Sequence, residues 1–526
     1  MRRGATLVVK ISVAMLVLAL TTVGLRQLAQ SQFTAHLRNE AARDLALAAS
    51  GKTPWHWDFH RQDIVAGRIF GDADADFASD CLLVKSRGSP FEFGLRLTRI
   101  LSLRDFPRLR TFAFADKPAQ AQIVVRERLD GGEWTSAPFP LAGISTATNL
   151  DIDAIAWRDP DGRYVRPPAA AAMLRLRFRL PRGATLQFNG AALERPALAK
   201  RLDLTRVAAL VDAGMPAPSD TIPVYRVPDG GVNVAQIAVF ARSDPPILAL
   251  PQTRRVERQR LLLDSIRSTL PAAIVVPQGA FDATFAQARA EYARAGATPV
   301  PGILRWLALA LYGGVLLCSR ILPPRNVRLR SSLEAALALA GPLWLVVGGH
   351  FTGKVDVWQE FLIAGVGIYA ISLGYPRDWR WNGSHRAWML AAAVIGLAAV
   401  VGAAAHFRHG GPIRVIGPAH VLRYFGWALI QQYLICVVCA SRWRLATTSN
   451  AVAAYLGALG FALLHTPNAG LMLATFAGGL CWCALYLRER ALLPLAFSHA
   501  ASAVILIALA PPSWLYSADV SARFFQ

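Results

Sequence analysis

Between Trp427 and Ser502, three apolar segments each carry polar groups that lipid leaves without partners. WALIQQYLICVVCA holds Gln431 and Gln432, AYLGALGFALLHTPN ends beside His465, and LLPLAFSHAASAVILIALA carries His499. Amides and imidazoles at membrane depth are costly unless paired, and they mark functional sites by default. An imidazole can serve as a general base or as a hydrogen-bond donor to a developing charge. A carboxamide keeps the shape and hydrogen bonds of a carboxylate but does not accept a proton at neutral pH. Each of the three segments lies one helix-plus-turn or hairpin from the next, so the groups can converge inside a helical bundle.

The order of these residues resembles the CPBP intramembrane proteases, the group that includes the CAAX-processing enzymes and the bacterial Abi proteins. That family shows Glu-Glu-x-x-x-Arg, then Phe-x-x-x-His, then His-x-x-x-Asn or Asp, on successive core helices. Phe461-Ala-Leu-Leu-His465 matches the second motif, and His499 opens the third, with Ala503 where Asn or Asp is expected. In the first motif Gln431 and Gln432 stand for both glutamates, and Cys436 stands for the arginine. The resemblance spans roughly residues 300 to 511, with the motifs in the last part of that stretch. It implies a glutamate acting as general base with help from one histidine, while the other histidine and the Asn or Asp hold the oxyanion. It also implies chemistry that needs no metal. A catalytic zinc takes three protein ligands, and no third His, Cys or carboxylate falls in the motif register beside His465 and His499. Neither a metal nor another cofactor is therefore expected.

The segments that must position these groups read as transmembrane helices. Candidate spans are 303–322, 332–350, 356–375, 387–405, 419–440, 450–466, 469–487 and 492–510, in addition to an N-terminal apolar run. That run, ISVAMLVLALTTVGL after Arg2 and Arg3, reads as a signal peptide or an uncleaved anchor over residues 1–25. Arginine clusters at Arg325/Arg328/Arg330, Arg377/Arg380/Arg386, Arg442/Arg444 and Arg488/Arg490 fall in alternate loops. With Arg2 and Arg3 they place those loops and the N-terminus in the cytoplasm, and residues 26–300 outside it. The expected location is a bacterial inner membrane, and the expected partners are the bilayer and a membrane protein or peptide substrate.

Composition agrees with a membrane protein bearing a large water-exposed part. The 526 residues are 54% hydrophobic, with a mean hydropathy of +0.34. The formal charge of +22 rests on 56 Lys and Arg, of which only six are Lys. No nucleic-acid motif accompanies this charge, so no nucleic-acid partner is expected. Five of the six cysteines lie in apolar segments and read as small hydrophobes. Cys81 stands alone in the intervening region, which excludes an internal disulfide there.

Residues 26–200 read as an exported β-sandwich, jelly-roll-like, in which MLRLRFRL, FEFGLRLTRILSL and QIVVRERL are strands and Asp159–Gly162 is a turn. Such folds admit a carbohydrate or envelope ligand. GDADADFASD, Gly71 to Asp80, reads as a solvated acidic loop, because it lacks the glycine and closing glutamate of a calcium site. Residues 201–300 read as a small exported α/β region. Its helices are expected at TRVAALVDAG, RVERQRLLLDSIRSTL and ATFAQARAEYARAG, and its strands at VAQIAVFAR and AAIVVP. Residues 301–526 form the CPBP-like bundle of about eight spans.

Three readings of the intramembrane groups remain open. His465 or His499 acts as base while Gln431 and Gln432 orient water. Alternatively Glu360, the acidic residue in VDVWQEFLIAGVGIYA, stands in for the missing carboxylate, or is simply a near-surface glutamate paired with Lys354. In the third, the domain is a relative without catalysis that binds transmembrane or lipidated segments.

Overall fold

The computed structural model describes residues 2–58, 69–78, 81–97, 99–128, 131–141, 147–195, 201–212, 214–231, 236, 240, 245–253, 255–294, 303–350, 356–374, 379–515 and 518–525. The chain divides into two compact units. One comprises Met1–Phe33, Arg254–Arg258 and Thr298–Phe525; the other comprises Thr34–Thr253 and Gln259–Ala297. Helix α1, Arg2–Ala49, contributes its first part to the former and its remainder to the latter.

The second unit begins with a curled antiparallel sheet of 12 strands. Alternation explains its centre. In Met173–Arg179, Leu174, Leu176 and Phe178 are buried while the intervening arginines are not, as the two-residue period of a strand requires. Leu176 pairs with Phe93 on one side and Ile123 on the other. On the core face Phe93 packs 5.2 Å from Phe178 and 4.9 Å from Phe188. On the opposite face Arg175 and Arg177 each donate to Glu92 at 2.8 Å. The hydrogen bonds join these strands into a single sheet, with only the short pair Leu101–Ser102 and Ala170–Ala171 apart. The acidic stretch is not a loop, since Phe70–Phe77 is a strand paired with Leu82–Leu95. Asp74 there accepts from Arg87 Nε at 3.1 Å.

A second sheet of four strands follows, all parallel, in the order Val207–Val211, Thr221–Arg226, Ile247–Leu250 and Ile274–Pro277. The expected helix at Thr205–Gly214 is absent because VAALV is a five-residue apolar run. Such a run is too short to show helical periodicity and is bounded by β-branched residues. Helices α2, Val256–Thr269, and α3, Phe281–Ala293, lie where their spacing predicts. The strand expected at VAQIAVFAR lies almost wholly outside the described residues. Ala42 and Leu45 of α1 pack with Val224, Ile274 and Phe285 in one core.

One buried ion cluster ties the parts of this unit together. Arg99 Nη1 donates to Glu40 Oε1 at 2.6 Å and to Asp44 Oδ2 at 2.7 Å, and Arg267 Nη2 also reaches Glu40 at 2.6 Å.

The other unit is a helical membrane bundle. Its helices are α4 Ile303–Ile321, α5 Val327–Val347, α6 Val357–Ser372, α7 His385–His409, α8 Pro418–Gln432, α9 Ser441–Thr447, α10 Asn450–Leu463, α11 Ala469–Glu489 and α12 Leu493–Leu509. Among the described residues six helices are long and apolar enough to cross a bilayer, α1 included, and three more are shorter but apolar. Capping hydroxyls and amides start several of them. Ser384, Ser449 and Asn468 accept from backbone N–H groups three residues ahead. Between α8 and α9, Tyr433–Ala440 forms a π-helical segment in which Ile435 to Ala440 are all buried. Such segments are local rearrangements often found at functional sites.

Small residues bring α10 and α11 close. A Cβ on Gly457 would lie 2.8 Å from Cys483 Sγ, and one on Gly479 would lie 3.0 Å from Ala458 Cα. This is the close backbone approach that drives helix packing in membranes.

Arg99→Met leaves buried Asp44 without its Arg99 partner and Glu40 with Arg267 in place of two guanidinium groups. The expected result is a loss of about 3–5 kcal/mol in the stability of the sheet-bearing unit. Thermal unfolding of the full chain in detergent checks it, and an unchanged midpoint refutes the cluster's structural role.

Candidate functional site in the membrane bundle

Gln432 closes α8 at the point where the π segment begins, and its side chain is 1% exposed. Its Nε2 lies 3.1 Å from His499 Nδ1 on α12. Its Oε1 accepts from the Cys436 thiol at 3.0 Å. Both ends of the carboxamide are thus satisfied, as burial demands. Gln431, one residue earlier, is half-buried, and no hydrogen bond links it to either histidine among the described residues.

His499 is 4% exposed, and aromatic rings surround it. Trp482 lies 4.6 Å away by ring centroid, Phe461 5.4 Å away and Tyr424 6.3 Å away. Trp482 is anchored by its own indole N–H, which donates to Ser498 Oγ at 2.8 Å. Phe461 is fully buried and stands edge-on to both imidazoles, with His465 at 4.8 Å. One ring of α10 therefore touches both histidines.

His465 sits in the turn between α10 and α11 and is 8% exposed. Its Nδ1 lies 2.7 Å from the Phe461 carbonyl oxygen. The partners fix where each neutral ring carries its proton. A carbonyl can only accept, so His465 donates from Nδ1 and keeps a lone pair on Nε2. A carboxamide nitrogen can only donate, so with Gln432 Nε2 turned toward it His499 accepts at Nδ1 and carries its proton on Nε2. The two histidines are thus complementary, one with a free basic nitrogen and one with a free N–H.

The turn holding His465 is braced by the C-terminal segment of the same unit. Asn468, fully buried, donates to the Leu515 carbonyl at 2.7 Å and to that of Asp519 at 3.2 Å, while its Oδ1 caps α11. Ser521 N donates to Thr466 O at 2.8 Å. Gly470 is required by this packing, since a Cβ there would meet the Trp514 carbonyl oxygen.

The carboxylates are arranged differently from expectation. Glu360 is exposed in the first turn of α6 and is not joined to the histidines; Lys354, its expected partner, lies outside the described residues. The buried carboxylate of the bundle is instead Glu334 of α5, 4% exposed. It pairs with Arg442 Nε at 2.7 Å, Arg330 Nε at 2.9 Å and Arg320 Nη1 at 3.7 Å. Glu334 lies near the start of its apolar segment, where sequence position marks it as an end-of-span residue; only the approach of Arg442 encloses it.

Cys436 and Cys483 bring their sulfurs to 3.8 Å beside Gln432. Among the described residues no group of three His, Cys, Asp or Glu side chains gathers at metal-binding distance. Ser502, one turn beyond His499, has a buried hydroxyl without a hydrogen-bond partner. Trp482, Tyr424 and Ser502 carry no sequence signal, because aromatic and hydroxyl residues are ordinary in apolar helices. Asn468 does carry one, as a capping residue directly after Pro467.

Comparison with known proteins bears on this region. Residues 435–505 match the Rce1-like family model, described as type II CAAX prenyl endopeptidase Rce1-like, consistent with a member of the CPBP/CAAX protease family. No curated protein matches the chain. Among solved structures, the CBM22-1–GH10 modules of Clostridium thermocellum endo-1,4-β-D-xylanase 10B, complexed with xylohexaose, align at 10% identity and a TM-score of 0.19. That alignment covers 42% of this chain and 56% of the xylanase chain, and at such a score it determines neither fold nor ligand.

Asn468→Ala removes the cap of α11 and both bonds to the C-terminal segment. The expected cost is about 1–3 kcal/mol, with faster proteolytic cleavage beyond Ala510. Cleavage at the parent rate would refute the bracing role.

Proposed function

We propose that the membrane bundle is an intramembrane endopeptidase of the CAAX-protease type, hydrolysing a peptide bond of a membrane-associated protein. The observation that supports this most is the opposite hydrogen-bonding environment of two buried histidines set against one aromatic ring, His465 Nδ1 on a backbone carbonyl and His499 Nδ1 on a carboxamide nitrogen. His465 Nε2 takes a proton from water, and the resulting hydroxide attacks the scissile carbonyl carbon. The oxyanion that forms accepts from the Nε2–H of His499. When the tetrahedral intermediate collapses, the C–N bond breaks and His465 returns its proton to the leaving amine. Ser502 supplies a second donor in place of the side chain missing at Ala503.

In this reading the glutamines are not bases. Gln432 sets the orientation of His499, and Gln431 lies at the margin of the site. The chain lies in a bacterial inner membrane with its N-terminus cytoplasmic. Residues 26–200 and 201–300 are exported domains that select the substrate or respond to the envelope, through a carbohydrate or another envelope ligand. The second reading is a binding or assembly factor without catalysis. It is favoured by the carboxamides at both first-motif positions, which leave no carboxylate among the groups around His499.

Purified full-length protein in liposomes, incubated with membrane-anchored and prenylated peptide libraries, tests the proposal. Cleavage is expected, and His465→Ala is expected to reduce turnover by about 10²–10⁴. Glu360→Gln is expected to leave turnover unchanged. Cleavage that survives His465→Ala removes the assigned base, and a parent protein that binds these peptides without cleaving any supports the second reading.

A further inference from the structure

We infer that Cys436 is a positioning residue that fixes the proton on His499 by holding the Gln432 carboxamide in one of its two orientations. This rests on the role given to His499 above, but the device itself is a matter of hydrogen bonding within the parent chain.

A buried carboxamide facing an imidazole can turn either end toward it, and the choice sets the tautomer of the ring. The oxygen end would draw a proton to Nδ1; the nitrogen end leaves Nδ1 bare and puts the proton on Nε2. Gln432 and His499 alone do not decide between these. The decision comes from the other end of the amide, where the Cys436 thiol lies 3.0 Å from Oε1 and donates to it. Reversing the amide would turn the NH₂ toward that thiol and replace a full acceptor by a sulfur, which is only a weak one. Burial enforces the choice, since Cys436 is fully buried and no solvent reaches the pair.

The second thiol keeps Cys436 aimed. Cys483 Sγ stands 3.8 Å from Cys436 Sγ, and Gly457 makes room for Cys483, because a Cβ there would lie 2.8 Å from its sulfur. Cys436 lies four residues beyond Gln432, at the arginine position of the resembling motif. Next to a neutral carboxamide an arginine would be a buried charge without a counter-ion, which costs several kcal/mol. The neutral donor thus matches the neutral acceptor, and the two departures from the motif form one hydrogen-bonded unit. Cys436 is not a nucleophile in this arrangement, because its proton points at an amide oxygen.

The test reads the tautomer directly. Full-length protein with ¹⁵N-labelled histidine is reconstituted in lipid and examined by solid-state NMR, with the His499 signals identified by their loss in His499→Gln. In the parent protein His499 should show a bare Nδ1 and a protonated Nε2. Cys436→Ser, which keeps a donor, should preserve that pattern, and Cys436→Ala should shift His499 toward Nδ1 protonation or a mixture. On any peptide that the parent cleaves, Cys436→Ala should lower kcat by about 10- to 10²-fold with KM little changed, and Cys436→Ser should restore most of it. An Nδ1-protonated His499 in the parent, or the same pattern in Cys436→Ala as in the parent, overturns the inference. A parent protein with the expected tautomer but no cleavage of any peptide refutes the hydrolase reading and leaves this one standing.

Discussion

A polar side chain inside a membrane bundle has no water to fall back on, so each donor and acceptor must be met by another protein group. The contact between Gln432 and His499 is where this requirement concentrates. It joins α8 to α12, and its continuation to Cys436 and Cys483 reaches the π segment and α11. Phe461 and Trp482 wall the same space from α10 and α11. Five helical segments thus have their relative positions specified by a handful of directional contacts, set in an otherwise apolar interior that would tolerate many packings.

The packing around these contacts serves the same end. Glycines at 457 and 479 let α10 and α11 approach until Cys483 and Phe461 reach the centre. The π segment lets consecutive residues from Ile435 to Ala440 all face protein, which a regular helix with one lipid-facing side could not do. The turn after α10 would be the weakest point of this arrangement. Asn468 and Ser521 remedy that by binding the turn to the C-terminal segment, so that His465 is carried on a turn braced from both sides.

Much of this was legible in the sequence, and the limits have physical causes. Apolar length alone located the helices of the bundle, since the bilayer demands it. The motif resemblance singled out Phe461, His465 and His499 together, and the fold sets Phe461 edge-on to both imidazoles. Strand alternation in MLRLRFRL fixed which side of Met173–Arg179 is core. What the sequence did not reveal are choices made by tertiary contact. Gln431 and Gln432 are equivalent as letters, and only helix phase turns the second toward His499. VAALV is a strand because its parallel neighbour Thr221–Arg226 takes up backbone groups along one edge. The joining of the β-strands into one curled sheet is likewise a long-range pairing outcome.

Two glutamates of the bundle, Glu334 and Glu360, show how position decides surroundings. Both occupy apolar segments, and by sequence Glu360 looks the more deeply embedded. The fold exposes Glu360 at the start of α6 and encloses Glu334 among Arg442, Arg330 and Arg320. Three guanidinium groups offset the cost of burying that charge. Glu334 thus links α5 to α9 through its pair with Arg442. With Glu360 at the surface and the first-motif positions occupied by carboxamides, the imidazoles of His465 and His499 are the groups set around Phe461 at the centre of the bundle. One of them, His465, has its basic nitrogen free because a backbone carbonyl engages the other. The fold thus keeps Glu334 among arginines and Glu360 at the surface, with no hydrogen bond from either to His465 or His499 among the described residues.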